Sequence, residues 1–286
     1  MVCSKFTMPK GAFFLVILFA CTLVQAAYIE ITVPVKIVAN NGDVVDFGIV
    51  GPGQNLEIMA SEPTGDPSYA NPSKIAVWDQ FNFIPESLPV GWTYENGKTY
   101  ERNFKAFLIV SPSAADGEYT FKMKPVDEYE RSGTVTFTGK VRVSRDIFSM
   151  NVKPAKATVA VGTPALYNIE LENKANAPDT YNVTVAGFPG AIKYSKKVTV
   201  LRQTKSTTQF EVVSNEQATY PITFTAVSLS SSRINGSATA EITSKASLYE
   251  DVQSAGYGLL LFSNSQQAVV GLLAFFANTY DAIRGA

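Results

Sequence analysis

The chain has 286 residues, and its 24 lysines and arginines stand against 25 aspartates and glutamates for a formal net charge of −1. That balance, with no basic stripe, excludes a nucleic-acid partner, because a phosphate backbone has to be met by clustered cations. There is no histidine, and the two cysteines are Cys3 and Cys21. Histidine-dependent hydrolases and zinc centres are thereby excluded, as is thiolate chemistry beyond residue 26.

Residues 1–26 read as a secretory signal peptide. Lys5 and Lys10 precede an apolar run from Gly11 to Leu23, and Val24-Gln25-Ala26 supplies small residues at a cleavage site before Ala27. Two alternatives stay open: the run is retained as a membrane anchor, or Cys21 takes a lipid, since Leu18-Phe19-Ala20-Cys21 loosely resembles a lipobox. A chain cleaved at Ala26 has no cysteine, so its stability has to come from hydrophobic cores rather than disulfides.

A first module is expected over 27–145. Ile29, Ile31, Val33, Val35 and Ile37 alternate with Glu30, Thr32 and Lys36, which predicts one half-buried strand from Ala27 to Val38. Asn41-Gly42 is a turn signal and Val44 to Val50 the next strand. Ala60 to Ser73 is rich in Ser, Pro, Gly, Asp and Asn and reads as a long loop. Trp78 to Ile84, Phe104 to Val110, Glu118 to Met123 and Gly133 to Val143 follow as strands, with a turn over 111–117. Ser144-Arg145-Asp146 is a short junction.

A second module, 146–246, repeats the pattern with strands around 150–152, 157–161, 165–171, 183–185, 198–201, 207–213, 220–229 and 237–242. It contains two glycosylation acceptor motifs, Asn182-Val183-Thr184 and Asn235-Gly236-Ser237, which are compatible with export; Asn71-Pro72-Ser73 is excluded by its proline. Ser247 can cap a helix whose first turn holds Glu250 and Asp251. Residues 247–286 then form a hydrophobic helical tail with apolar blocks Leu259 to Phe262 and Ala268 to Ala277 around Ser263-Asn264-Ser265-Gln266-Gln267. Neither block reaches the roughly 20 apolar residues of a simple span. The tail reads as a membrane-embedded or interfacial hairpin, as a contact with another chain, or as packing on its own sandwich.

The two modules carry the same signals in the same order. Gly51-Pro52-Gly53 corresponds to Gly162-Thr163, Leu56 to Met59 to Leu166 through Leu171, and Leu88-Pro89-Val90-Gly91-Trp92 to Gly187-Phe188-Pro189-Gly190. Pro89 and Tyr119 are 30 positions apart, Pro189 and Tyr220 31. Short strands separated by Gly, Pro and Asn at this spacing predict an all-β chain of two tandem antiparallel β-sandwich domains, which the resemblance named below makes Ig-like.

Chemistry-bearing residues have ordinary structural readings beside their functional ones. Trp78, Phe81, Phe83 and Trp92 read as core, whereas Tyr69, Tyr94 and Tyr100 are the candidate glycan contacts. Asp79, Glu86, Glu95, Glu101, Asp116 and Glu118 could include a glycosidase pair, but sequence does not set the separation such a pair needs. Asp43, Asp46, Asp116, Asp127 and Asp179 could include a calcium cluster, yet no D-x-D-x-D-G run is present and turn formation accounts for them. No catalytic residue, metal ligand set or cofactor is expected.

Val159-Ala160-Val161-Gly162-Thr163, Asn173-Lys174-Ala175-Asn176, Asp179-Thr180-Tyr181, Gly187-Phe188-Pro189 and Ala218-Thr219-Tyr220 together resemble the Ig-like sandwich modules of the NPCBM-associated and α-galactosidase-associated family, which also recur in archaeal cell-surface proteins. The resemblance implies a spacer, adhesion unit or carbohydrate-proximal accessory without catalytic residues. The expectation is an exported, non-enzymatic surface protein held at the membrane by its tail, with envelope polysaccharide or other surface proteins as partners. The alternatives are a polysaccharide-binding module and a filament subunit in which the strand from Tyr28 to Val38 joins a neighbour's sheet edge.

Overall fold

A computed structural model describes residues 27–64, 77–128, 133–188 and 195–246, and these are all-β. Apart from one turn of 3₁₀ helix at Pro85–Ser87, every regular element among the described residues is a strand. The expected signal 1–26, Tyr69 and the tail 247–286 lie outside the described residues. The chain divides into two compact units. One comprises residues up to Gly48, Asn55–Ser111 and Glu118–Arg142; the other comprises Ile49–Gln54, Pro112–Gly117 and the chain from Val143 on.

The strands running through the first half are β1 (Tyr28–Val33), β2 (Ile37–Asn40), β3 (Val44–Val50), β4 (Asn55–Ser61), β5 (Gln80–Phe83), β6 (Thr93–Glu95), β7 (Asn103–Ile109), β8 (Gly117–Val126) and β9 (Phe137–Val143). They form a five-stranded sheet in the order β2-β1-β4-β7-β6 and a four-stranded sheet in the order β3-β9-β8-β5.

The strand expected from Ala27 to Val38 is two strands. β1 and β2 are an antiparallel pair with Tyr28 opposite Asn40 and Ile31 opposite Ile37. Pro34 falls between them; with no N–H to give to a ladder, it breaks the run that alternation alone would continue. Ile29 and Ile31 are fully buried as the pattern requires, whereas Ile37 on the return strand is 41% exposed. β1 also pairs with β4, so both of its sides are bonded and the sheet edge is β2. A neighbour's sheet therefore cannot add to Tyr28–Val33.

Alternation explains the core of the first unit. β4 and β7 pair from Asn55 opposite Ile109 to Ser61 opposite Asn103, placing Leu56, Ile58, Ala60, Phe104, Ala106 and Leu108 on the inner face at zero exposure. The four-stranded sheet answers with aromatic rings: Phe47 stacks on Phe121 at 5.8 Å, Phe83 meets Phe121 at 5.6 Å, and Phe81 stacks on Phe137 at 6.1 Å. Each such side chain contributes about 1.5–3 kcal/mol when removed from water. Trp78, expected within a strand, sits just before β5 and is buried, its Nε1 donating to the Tyr28 carbonyl at 3.0 Å.

The second unit contains β10 (Phe148–Lys153), β11 (Lys156–Ala160), β12 (Pro164–Asn173), β13 (Asp179–Ala186), β14 (Ser195–Val200), β15 (Thr204–Val213), β16 (Thr219–Ser228) and β17 (Asn235–Lys245). One sheet has the order β10-β12-β15 and the other β11-β17-β16-β13-β14. β11 runs parallel to β17, while β10 with β12, β12 with β15, β13 with β14, β13 with β16 and β16 with β17 pair antiparallel. Tyr167 of β12 and Phe210 of β15 meet Phe224 of β16 at 5.5 and 5.9 Å, so the two sheets close on one core.

The sheets β3-β9-β8-β5 and β11-β17-β16-β13 use strands at corresponding places in chain order. The turns entering β4 and β12 each carry a glycine at positive φ, Gly53 at 73° and Gly162 at 81°. The short strand between differs: β6 pairs with β7, whereas β14 pairs with β13. β6 is exposed at all three residues, but β14 buries Val198 and Val200 and so belongs to its core.

Candidate functional site

The aromatic candidates divide by what lies beneath them. Trp92 follows the turn closed by its own N–H on the Pro89 carbonyl; it is 7% exposed and packs against Tyr119 at 5.2 Å. Tyr94 stands on β6 opposite Leu108, leans on Phe83 at 5.6 Å and is 37% exposed. Tyr100 lies in the loop before β7 with φ of 61°, a left-handed conformation uncommon for an aromatic residue, and is 67% exposed. Its N–H donates to the Asp79 carbonyl at 2.9 Å and its Oη to Glu128 Oε2 at 2.6 Å. Tyr69 lies outside the described residues.

Several candidate carboxylates are held in structural bonds. The nearly buried Asp79 accepts from the Glu128 N–H at 2.8 Å. Asp116 takes Arg145 through both oxygens at 3.0 and 3.3 Å. Lys140 lies 3.6 Å from Glu118 and 3.4 Å from Asp46, which raises the lysine's pKa, Glu118 contributing first. Asp43 accepts from both the backbone N–H and the side-chain amide of Asn40, and these bonds lower its pKa. Among the described residues no group of three or more His, Cys, Asp or Glu comes together as cation ligands.

Asp179 is the most engaged of these groups. It is 4% exposed and its carboxylate accepts four hydrogen bonds: from Gln54 Nε2 at 3.0 Å, Ser228 Oγ at 2.8 Å, Ser230 Oγ at 2.9 Å and the Thr180 N–H at 2.7 Å. Four donors fill the acceptor sites of an ionised carboxylate and replace the water it has lost. Gln54 is itself aimed by its turn, since its Oε1 accepts from the Gly51 N–H at 2.7 Å. At Gly53 a side chain would run into the Ser230 carbonyl, so the close approach requires glycine. In the sequence Asp179 reads as a turn former, with a calcium cluster as the alternative; the donors come from positions 54, 180, 228 and 230, with no local motif that joins them.

Tyr181 follows two residues later, fully buried and stacked on Phe148 at 4.1 Å, its Oη without a partner. Burial first, and the Asp179 charge second, push its phenol pKa up. Asn182 faces outward from β13 and is half-buried; its Oδ1 accepts from Ser195 Oγ at 3.1 Å. Asn235 opens β17, exposed, its Nδ2 donating to the Ser232 carbonyl at 2.8 Å.

No protein-family model matches the chain, and no curated protein matches it. Among solved structures it is similar to a chimeric titin Z1Z2 functionalized with an exogenous peptide from decorin, at 13% identity and TM-score 0.36, covering 78% of this chain and 100% of that one. It is also similar to the teleost fish polymeric Ig receptor ectodomain, at 9% identity and TM-score 0.23, covering 73% and 98%. A chain of the complex of zinc 2-glycoprotein with prolactin inducible protein from human seminal plasma matches at 9% identity and TM-score 0.29, covering 35% and 95%. Likenesses this loose carry no argument about activity. The resemblance to NPCBM-associated modules still rests on the residues that suggest it.

Proposed function

We propose that this is an exported, non-enzymatic structural or adhesion protein of the cell surface, with two tandem Ig-like domains held at the membrane by the apolar segment after Ser247. The observation that carries the reading is how the candidate chemical groups are used. Asp179 is saturated by four donors, Asp116 is tied to Arg145, Glu118 faces Lys140, and Tyr100 is bonded to Glu128. Groups held in structural bonds stabilise sandwiches and their loops rather than standing ready to transfer protons. The leader-like residues 1–26 support export. Expression of the full chain followed by an alkaline carbonate wash of the membranes tests the reading: the protein is expected to stay with the membrane, and its release into the soluble fraction would contradict anchoring.

A second reading, binding of envelope polysaccharide, is favoured by one observation. Tyr100 is two-thirds exposed in a left-handed backbone conformation and pinned by Glu128, a fixed aromatic surface of the kind that stacks on sugar rings. Binding on a glycan array that is lost in Tyr94→Ala or Tyr100→Ala would support it; no binding to any envelope glycan would remove it.

A further inference from the structure

The outward face of the sheet β11-β17-β16-β13-β14 has an unusual make-up. Along β13, β16 and β17, from Thr180 to Ala186, Thr223 to Val227 and Asn235 to Thr239, the outward residues form an uncharged patch; its borders are charged, with Lys197 of β14 opposite Asn182 and Glu241 of β17 paired with Lys156 of β11 at 3.3 Å. Most residues of the patch are hydroxyl-bearing, and hydroxyls sit opposite one another: Thr180 with Thr199, Thr223 with Thr239, Thr219 with Thr243. Two of these pairs are hydrogen-bonded through their hydroxyls, at 2.9 and 3.1 Å. The opposite sheet of the same unit carries Glu170, Glu172, Lys205 and Glu211 outward, with a 3.0 Å ion pair between Lys205 and Glu170. An uncharged patch across three neighbouring strands favours association unless something covers it.

Both acceptor motifs fall on that face and in one line. Asn182 on β13 lies opposite Val227 on β16, and Val227 lies opposite Asn235 on β17. Two strands apart, the asparagines are about 10 Å from one another. Because side chains two apart on a strand share a face, Thr184 and Ser237, the hydroxyls of the two motifs, project with them. Ser195 holds the Oδ1 of Asn182, which leaves Nδ2 as the end for attachment. The bond from Asn235 Nδ2 to Ser232 needs only one N–H, so a substituted amide can keep it.

We infer that Asn182 and Asn235 both carry N-linked glycans, and that these glycans cover the hydroxyl face of the second unit. In the modification Nδ2 forms a bond to the anomeric carbon of an activated sugar, the bond from that carbon to its diphosphate leaving group breaks, and the proton lost from nitrogen leaves with the diphosphate; nothing is oxidised or reduced. The first sugars then lie over threonine hydroxyls and methyls, and contacts with other molecules are left to the remaining surface. The inference rests on the export reading, since the glycosylating machinery meets only exported chains.

The test is the intact mass of the full chain, expressed with its own N-terminal segment in a secretory cell that glycosylates, before and after an amidase that releases N-linked sugars and leaves aspartate. Sugar on both sites is expected, with Asn182→Gln and Asn235→Gln each removing one glycan and the double variant self-associating at concentrations where the parent stays monomeric. A chain found outside the cell and bare at either site overturns this proposal while export stands. A chain retained in the cytosol overturns export and this proposal with it.

Discussion

Phe148 and Tyr181 stack at 4.1 Å with their rings 22° apart, joining β10 in one sheet of the second unit to β13 in the other. The ring of Tyr181 fills the core while its Oη is buried without a partner. The two halves of the side chain therefore pull in opposite directions. Tyr181→Phe discards an unpaired hydroxyl and is expected to leave stability unchanged or raise it by about 1 kcal/mol. Tyr181→Ala opens a cavity and is expected to cost about 3–5 kcal/mol. Urea unfolding of both variants measures this, and a phenylalanine variant that loses as much as the alanine one would show the hydroxyl to be bonded.

Asp179 makes the opposite prediction, because all its donors depend on one carboxylate. Asp179→Ala strands Gln54, Ser228 and Ser230 in a buried site and is expected to cost about 3–5 kcal/mol, with Asp179→Asn intermediate, since its amide can accept only part of what the carboxylate accepts. Thermal unfolding reads the loss. Added calcium is expected to leave the melting temperature of the parent chain unchanged; a rise would return Asp179 to the role of cation ligand.

How much of this was readable without a structure follows from distance along the chain. Asn41-Gly42 as a turn and Val44–Val50 as a strand came out as expected, because turn chemistry and alternation are written in adjacent residues. The hairpin at Pro34 was missed since apolar residues continue on both sides of it, and only the proline's missing donor marks the break. The Asp179 cluster and the row Asn182, Val227, Asn235 were invisible for a different reason. Each is made by strand register between segments far apart in sequence, and no local pattern reports which residues end opposite one another.

The first unit has its own sensitive point at Gly139. A Cβ there would press on the rings of Phe121 and Phe47, the stacked pair at the centre of that core. Gly139→Ala is expected to cost about 1–3 kcal/mol by forcing those rings off their rotamers. Chemical denaturation checks the size, and retained stability would mean that the stack shifts without loss.

Alkaline pH is expected to destabilise the second unit through its buried phenols. Burial first, and Glu241 second, raise the Tyr167 phenol from 10.0 to about 12, and Tyr181 moves in the same direction. A folded-state pKa above the unfolded one gives stability that is complete below pH 10.0 and is lost as pH rises through about 12. Phenolate absorbance followed together with circular dichroism should show these tyrosines ionising only as the sheets unfold, and Tyr167→Phe should move that transition to higher pH. Titration of every tyrosine near its ordinary value with the fold intact would contradict this.

A surface protein must present its sandwiches outside the cell. Protease added to intact cells expressing the full chain, with fragments identified by mass, measures that directly. Cleavage in exposed segments of the described domains from outside, with an intracellular control protein untouched, is the predicted result. Complete protection of the domains until the cells are lysed would contradict it.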